Sequence, residues 1–395
     1  MAFIGRQQEL EALNKLLKKT SASLVVVQGR RRVGKSRLIE KFAKQLSIQT
    51  GLPEIQADDW NKLFLLLAEK ALQGRVIILF DEITWMGSKD PDFLGKLKNA
   101  WDIYFKKNPQ LILILCGSVS VWIDKNILSS TGFVGRISYR LTLEELPLSD
   151  CNQFGGRNSK NISAYEKFKI LAVTGRIPRY LEEMKLSLST EENIKDMCFI
   201  KGSALVNEFN EIFSDLFSKQ STIYKKIVQT LSQGSLNIQE TYHKLNTKPS
   251  GFISEYLENL IKSGFITRDY TWHLKSSKIS KLSHFRLSDN YLRFYLKYID
   301  KNKYKIENNA FDFKSLHLLS NWEIILALQF ENLVLKNRAY IKQCLNLKSD
   351  DIETDNPFFQ RKTLRTPGCQ IDYLIQTRFR TLYVCEIKFK KTKNR

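Results

Sequence analysis

Residues 29–36 read Gly29-Arg30-Arg31-Arg32-Val33-Gly34-Lys35-Ser36. Before them lies the short β-branched apolar run SLVVVQ at 23–28, and after them 35–44 alternate polar and apolar residues at helical spacing. This is the pattern GxxxxGK(S/T) between a strand and a helix, the context in which it has a mechanism. The glycines let backbone N–H groups curl around a β-phosphate, and the following helix aims its partly positive N-terminus at the same anion. Lys35 is placed to bridge the β- and γ-phosphates, and the Ser36 hydroxyl to ligate magnesium. The expected nucleotide contacts are Gly29, Arg32, Val33, Gly34, Lys35, Ser36 and Arg37, with ATP and Mg²⁺ as cofactors.

Working outward, VIILF at 76–80 runs straight into Asp81-Glu82. Two carboxylates then emerge at the C-terminal end of a strand, where open α/β sheets keep their ligands. This is a Walker B arrangement: Asp81 to hold magnesium, Glu82 to polarise the attacking water. A third apolar run, LILILC at 111–116, ends at Gly117-Ser118. Two readings of Ser118 stand: a sensor of the γ-phosphate, or a simple turn residue.

The chain has 395 residues, too many for one core, and its 43% hydrophobic and 26% charged content is that of a folded globular protein. The longest apolar runs have strand length, and charge appears at Arg6 and Glu9 before a leader could form, so a cytoplasmic protein without membrane spans is expected. The six cysteines form no CxxC pair, so neither a zinc knuckle nor a disulfide framework is suggested, and reduced, mostly buried thiols are expected. A net charge of +21 has two readings, a polyanion partner such as DNA or a solvated lysine-rich surface.

Amphipathic stretches at 164–173 and 193–217 predict a helical lid over 141–218. Helices are expected at 222–232, 237–245 and 250–263, followed by short strands near 271–275 and 283–287, the order of a winged helix-turn-helix over 219–290. Residues 219–288 carry 11 Lys and Arg against 4 Asp and Glu, a net +7 that favours nucleic acid, while Glu255 and Glu258 on the third helix favour a packing role.

Near the end, Asp372 and the Glu386-x-Lys388 pair fall on two consecutive strand-like segments. Residues two apart in a strand share a face, so Glu386 and Lys388 are predicted to point together towards Asp372. Two carboxylates can bind magnesium, and a lysine can stabilise a pentavalent phosphate or position water, as phosphodiester hydrolysis requires.

The segment Phe3-Ile4-Gly5-Arg6, the arginine-rich Walker A, the Asp-Glu Walker B and Gly175-Arg176-Ile177-Pro178 resemble the archaeal and bacterial ATPase family. That family is similar to the regulatory signal-transduction ATPases of the AAA+ superfamily. The resemblance implies an α/β P-loop NTPase domain at 1–140, the lid and winged helix above, and a restriction-endonuclease-like α/β domain of PD-(D/E)xK type at 291–395. It sets Gly5-Arg6 near the adenine, Pro178 in a lid motif closing on the nucleotide, and Arg136 beside the γ-phosphate. Glu331 completes the nuclease-like metal set with Asp372 and Glu386. The span between the Walker A helix and Val76 is shorter than the family's, so part of a lid or strand is expected to be missing. Because the chain ends at Arg395, seven residues after Lys388, a truncated nuclease-like domain that binds without cleaving is also expected. The implied function is an ATP-hydrolysing switch coupled to a DNA-directed, metal-dependent nuclease-like domain. The alternative is an ATP-binding scaffold that holds a protein partner without cleavage. ATP, DNA, a protein partner and a second copy supplying an arginine are the expected partners. A metabolic kinase fits only the P-loop.

Overall fold

The computed structural model describes residues 4–29, 60–118, 121–217, 220–364 and 367–390. The chain divides into two compact units: Met1–Gln153 with Ile177–Arg179, and Phe154–Arg176 with Tyr180–Arg395.

The first unit is built on four parallel strands, β1 (Ser23–Gly29), β2 (Val76–Phe80), β3 (Leu111–Ser118) and β4 (Ile137–Leu143), in the order β2-β3-β1-β4. Parallel strands need both faces covered, and their sequences are accordingly continuous apolar runs. Alternate residues serve opposite faces. Leu24, Val26, Leu113 and Leu115 join Phe64, Phe80, Phe93 and Trp101 in one core, and Val25, Val27, Ile112 and Ile114 meet Leu10, Leu13 and Leu16 of the helix Gln7–Leu16 in the other. On the first face Phe64, on the helix Trp60–Lys70, meets Phe80 and Phe105 edge-on, each contact adding stabilisation beyond area burial.

The second unit starts with three helices, Ala164–Thr174, Thr190–Cys198 and Ala204–Phe217. Ser163 caps the first, which stops at Gly175 (φ +62), and Ser189 with Glu192 forms a capping box on the second. The predicted continuous stretch at 193–217 is thus two helices, separated at Gly202, whose φ of +78 a helix cannot continue through.

Next come helix Ser221–Leu231, the short β5 (Leu236–Asn237), helices Ile238–Lys244 and Gly251–Lys262, and the hairpin β6 (Ile266–Trp272) and β7 (Ile279–Leu287), sheet order β5-β7-β6. The strands begin several residues earlier than the sequence predicted, because the polar segment Thr267–Asp269 pairs with Phe285 and its neighbours and is stabilised from within the fold. Asp269 is buried against Arg286.

The chain continues as Asn290–Phe294, a π-helical turn at Tyr295–Ile299 and helix Asp300–Glu307, then helix Trp322–Lys336. An antiparallel sheet closes the unit, with β8 (Ile352–Gln360), β9 (Cys369–Thr377) and β10 (Leu382–Cys385) in the order β10-β9-β8. The Thr271 hydroxyl donates to the Phe359 carbonyl at 3.1 Å and the Trp272 indole to Gln376 at 2.6 Å, tying β6 to this sheet.

Cys116, Cys151 and Cys198 are buried, whereas Cys344 and Cys369 are exposed and Cys385 half-buried, so burial covers half the thiols rather than most. Among the described residues no helix is long and apolar enough to cross a membrane.

Candidate functional site

The C-terminal edge of the parallel sheet gathers the N-terminal candidates. Gly29 ends β1 in register with Ser118, which ends β3, and Phe80 pairs with Leu115, so Asp81 leaves β2 at the same edge. Since β2 and β4 lie on opposite sides of β1, the strand order reverses about β1, and ligands of such sheets bind outside the strand ends at that reversal. Of the predicted phosphate loop only Gly29 is described. Arg32, Val33, Gly34, Lys35, Ser36 and Arg37 lie outside the described residues, as does the short span expected before Val76.

Glu82 has a left-handed backbone (φ 51, ψ 44) and its N–H donates to the Asp81 carboxylate at 2.9 Å. A non-glycine residue in this region is mildly strained, and here the bend turns the chain sharply from β2 into the helix Ile83–Lys89. Both acids stay accessible to solvent at the sheet edge. Behind them Gly117 is closely packed: a Cβ would meet Ile123 at 2.9 Å and the Thr84 hydroxyl at 3.2 Å. Ser118 is buried at 7% exposure.

Gly5 (φ +73) admits no side chain, since a Cβ would lie 2.5 Å from the Asp150 carboxylate. Arg6 beside it is buried, donating to Glu9 at 2.9 Å and to the Glu144 carbonyl at 2.6 Å. Pro178 starts the helix Pro178–Glu182 and belongs, with Ile177 and Arg179, to the first unit rather than to the helices flanking it in sequence. Arg136 is held by Asp102, its Nε and Nη2 donating to the two carboxylate oxygens at 3.1 and 2.8 Å. That hydrogen bond keeps Asp102 below the usual carboxylate range and raises Arg136. Contact between Arg136 and a phosphate would use its remaining Nη1 or require this pair to open. No sequence signal pointed to Asp102, which sits at an ordinary polar position of the helix Phe93–Ile103.

In the 219–290 segment Lys226 and Lys262 are exposed on helices, and five more exposed lysines fall on two connections. Lys244 and Lys248 flank the turn between helices, and Lys275, Lys278 and Lys281 lie on the β6–β7 hairpin. The helix Gly251–Lys262 instead exposes Glu255 and Glu258, the latter 3.2 Å from Arg268.

At the C-terminal sheet, Asp372 lies on β9, but Glu386 and Lys388 lie beyond the last paired residue of β10, Cys385. The predicted strand stops there because the Asp372 carboxylate accepts the Ile387 N–H at 2.8 Å, replacing a ladder bond. Lys388 pairs with Glu386 at 2.6 Å, both well exposed. Glu331 sits on the helix Trp322–Lys336, and burial raises its carboxyl. Arg286 and Arg293 oppose that rise, and the nearby Asp372 charge adds to it. The Asp372 charge thus bears on Glu331, yet among the described residues no group of three His, Cys, Asp or Glu could hold a metal ion. Behind Glu331 lies a buried network that the sequence did not announce. Arg286 donates to Asp269 at 2.8 Å and to Asn332, and Arg293 to Gln329 at 2.9 Å and the Leu287 carbonyl at 2.8 Å. Burial without a carboxylate partner lowers Arg293 to about 9.

Residues 21–149 match the family described as an AAA domain. A 47-residue stretch is 43% identical to an uncharacterized ATP-binding protein of Methanocaldococcus jannaschii, covering 12% of this chain and 80% of that one. The family match lies within the first unit. A second, uncharacterized protein of the same organism is 27% identical over 337 residues, 80% of this chain and 72% of its own. Among solved structures, the ORC2 protein of Aeropyrum pernix, determined as ADPNP–ADP complexes, is similar with 16% identity over 76% of this chain and 94% of that one, at a TM-score of 0.46. A signal-transduction ATPase with numerous domains from Pyrococcus horikoshii is 16% identical over 87% of this chain, which spans 50% of that protein, at a TM-score of 0.32.

Proposed function

We propose that this protein is a magnesium-dependent ATPase switch whose nucleotide state governs a nucleic-acid-binding unit. The observation that carries the reading is the convergence of Gly29, Asp81 and Ser118 at one edge of a parallel sheet. Lys35 and Ser36 would bind the phosphates, Asp81 would hold magnesium, and Glu82 would orient the attacking water. Bound magnesium would neutralise phosphate charge. Gly5-Arg6 and Pro178 would flank the nucleotide.

The reading of 219–290 as a winged helix-turn-helix is supported by its order of helix, short strand, two helices and hairpin. The exposed Lys275, Lys278 and Lys281 would bear on phosphate backbone from the hairpin, and Lys244 and Lys248 from the turn, while the acidic third helix stays off the duplex. Turnover of ATP by wild type, Lys35→Ala and Glu82→Gln proteins tests the first half. Lys35→Ala should lose nucleotide binding, and Glu82→Gln should keep binding while hydrolysis falls at least about 100-fold. Wild-type turnover in both variants overturns it. For the second half, charge reversal at Lys275, Lys278 and Lys281 should weaken duplex binding and flatten its salt dependence by about 2 to 3 in slope.

A second reading concerns the C-terminal sheet. The bearing of the Asp372 charge on the buried Glu331 favours a metal-dependent nuclease-like site that would be completed by Glu386 and Lys388 on binding metal and DNA. Metal-dependent nicking of plasmid that Asp372→Ala abolishes would support it. Equal inertness of the two proteins leaves that unit as a protein-binding scaffold.

A further inference from the structure

We infer that the second unit carries a separate site for a phosphate-bearing nucleotide, in a cavity of about 420 Å³ between the π-helical turn and the segment 311–320. This goes beyond the function proposed above, because none of its residues belongs to the AAA domain, to residues 219–290 or to the C-terminal carboxylate set. Its size falls within the range of small-molecule sites.

The lining is chemically one-sided. Lys297, Lys301 and Lys314 face the cavity with Asp312 as the one acid among them. Lys297 and Lys301 are four residues apart on one helical run, where like charges repel. Among the described residues no carboxylate comes within ion-pair distance of either, and Lys314 meets only Asp312 at 3.8 Å in a solvated pair. Three cations against one acid leave this concavity net positive, which suits an anion, and the field there is strengthened by low-dielectric walls.

Those walls are aromatic and held in place. Phe311 and Phe313 both stack on Phe199, at 5.0 Å each, which fixes the segment behind the cavity while Phe311 still lines it. The Tyr298 hydroxyl donates to the Ser320 carbonyl at 3.1 Å and joins the helix to the far wall. Lys297 and Tyr298 both lie on the π-helical turn, a wider backbone geometry frequent at functional sites. A base or sugar against Phe311 and Leu319, with phosphates among the lysines and the hydroxyl of Ser320, suits this lining. The same chemistry is offered by a free nucleotide or by one unit of a single strand.

The test uses the full chain with ATP and a labelled 12-nucleotide single-stranded DNA as probes. Four proteins are compared: wild type, Lys35→Ala, the triple Lys297→Gln/Lys301→Gln/Lys314→Gln, and the combination. Calorimetry of wild type should give two ATP sites; Lys35→Ala and the triple variant should each lose a different one. If the source is a strand, the triple variant instead binds the oligonucleotide at least about tenfold more weakly, with a salt slope lower by about 2. Thermal unfolding guards against misfolding: relief of lysine repulsion should leave the ligand-free midpoint unchanged or raised. A triple variant indistinguishable from wild type with both probes overturns the inference. Failure of the P-loop assignment is read separately, from Lys35→Ala.

Discussion

Ser118 and Gly29 are register partners at the ends of adjacent parallel strands, so a buried hydroxyl lies beside the first residue of the proposed phosphate loop. A hydrogen bond to a charged phosphate is worth about 1.5–3 kcal/mol. Ser118→Ala is therefore expected to lower ATP turnover roughly 10- to 100-fold with little change in ATP affinity, measured as phosphate release and by calorimetry. Undiminished turnover would leave Ser118 as the end of a strand and no more.

The Arg136–Asp102 pair should respond to acid. Asp102 ionises more readily in the folded chain than in the unfolded one, so its contribution is present above the ordinary aspartate value of 3.8 and is lost as pH falls through the lower folded value. Both side chains are partly exposed, so solvent screening keeps the pair's contribution small. Urea unfolding of Asp102→Asn should show that deficit at pH 7, and the gap should close well below pH 4. A gap that persists in acid would assign the loss to packing.

Deep in the second unit, Asp269 and Arg286 form an ion pair with both side chains almost fully buried. Removing one partner strands the other charge, at a cost of about 3–5 kcal/mol, whereas replacing both by apolar residues costs far less. Denaturant midpoints of Asp269→Leu, Arg286→Leu and the double variant should therefore be strongly non-additive. Additive losses would mean that each residue acts through separate contacts.

Glu331 has the opposite pH sign to Asp102. Burial raises its folded value above the unfolded one, so its contribution is full below the ordinary carboxylate range and is lost as pH rises through the folded value. Glu331→Gln should then be more stable than wild type at pH 7, with the two converging in acid. Saturating Mg²⁺ should reverse the order at pH 7 if Glu331 and Asp372 bind the metal. A Mg²⁺-independent gap would speak against a metal role for Glu331.

Local chemistry was enough to read the AAA domain from the chain. Backbone N–H groups, a lysine and a hydroxyl must follow a strand in a fixed order to hold phosphate, so 29–36 and 81–82 raise the expectation of a nucleotide site within a few residues. The succession of helices and strands at 219–290 was legible for the same reason, because apolar spacing of 3.6 or 2 is written along the sequence. Tertiary structure alone determined what depends on residues far apart. It joined Arg136 to Asp102 across 34 positions, gave Ile387 the Asp372 carboxylate in place of a strand partner, and buried Arg286 and Arg293 around Gln329 and Asn332. It also turned three unremarkable lysines, 297, 301 and 314, towards one cavity. Charge pairing and burial are properties of distance in space, and no pattern of neighbours along the chain encodes them.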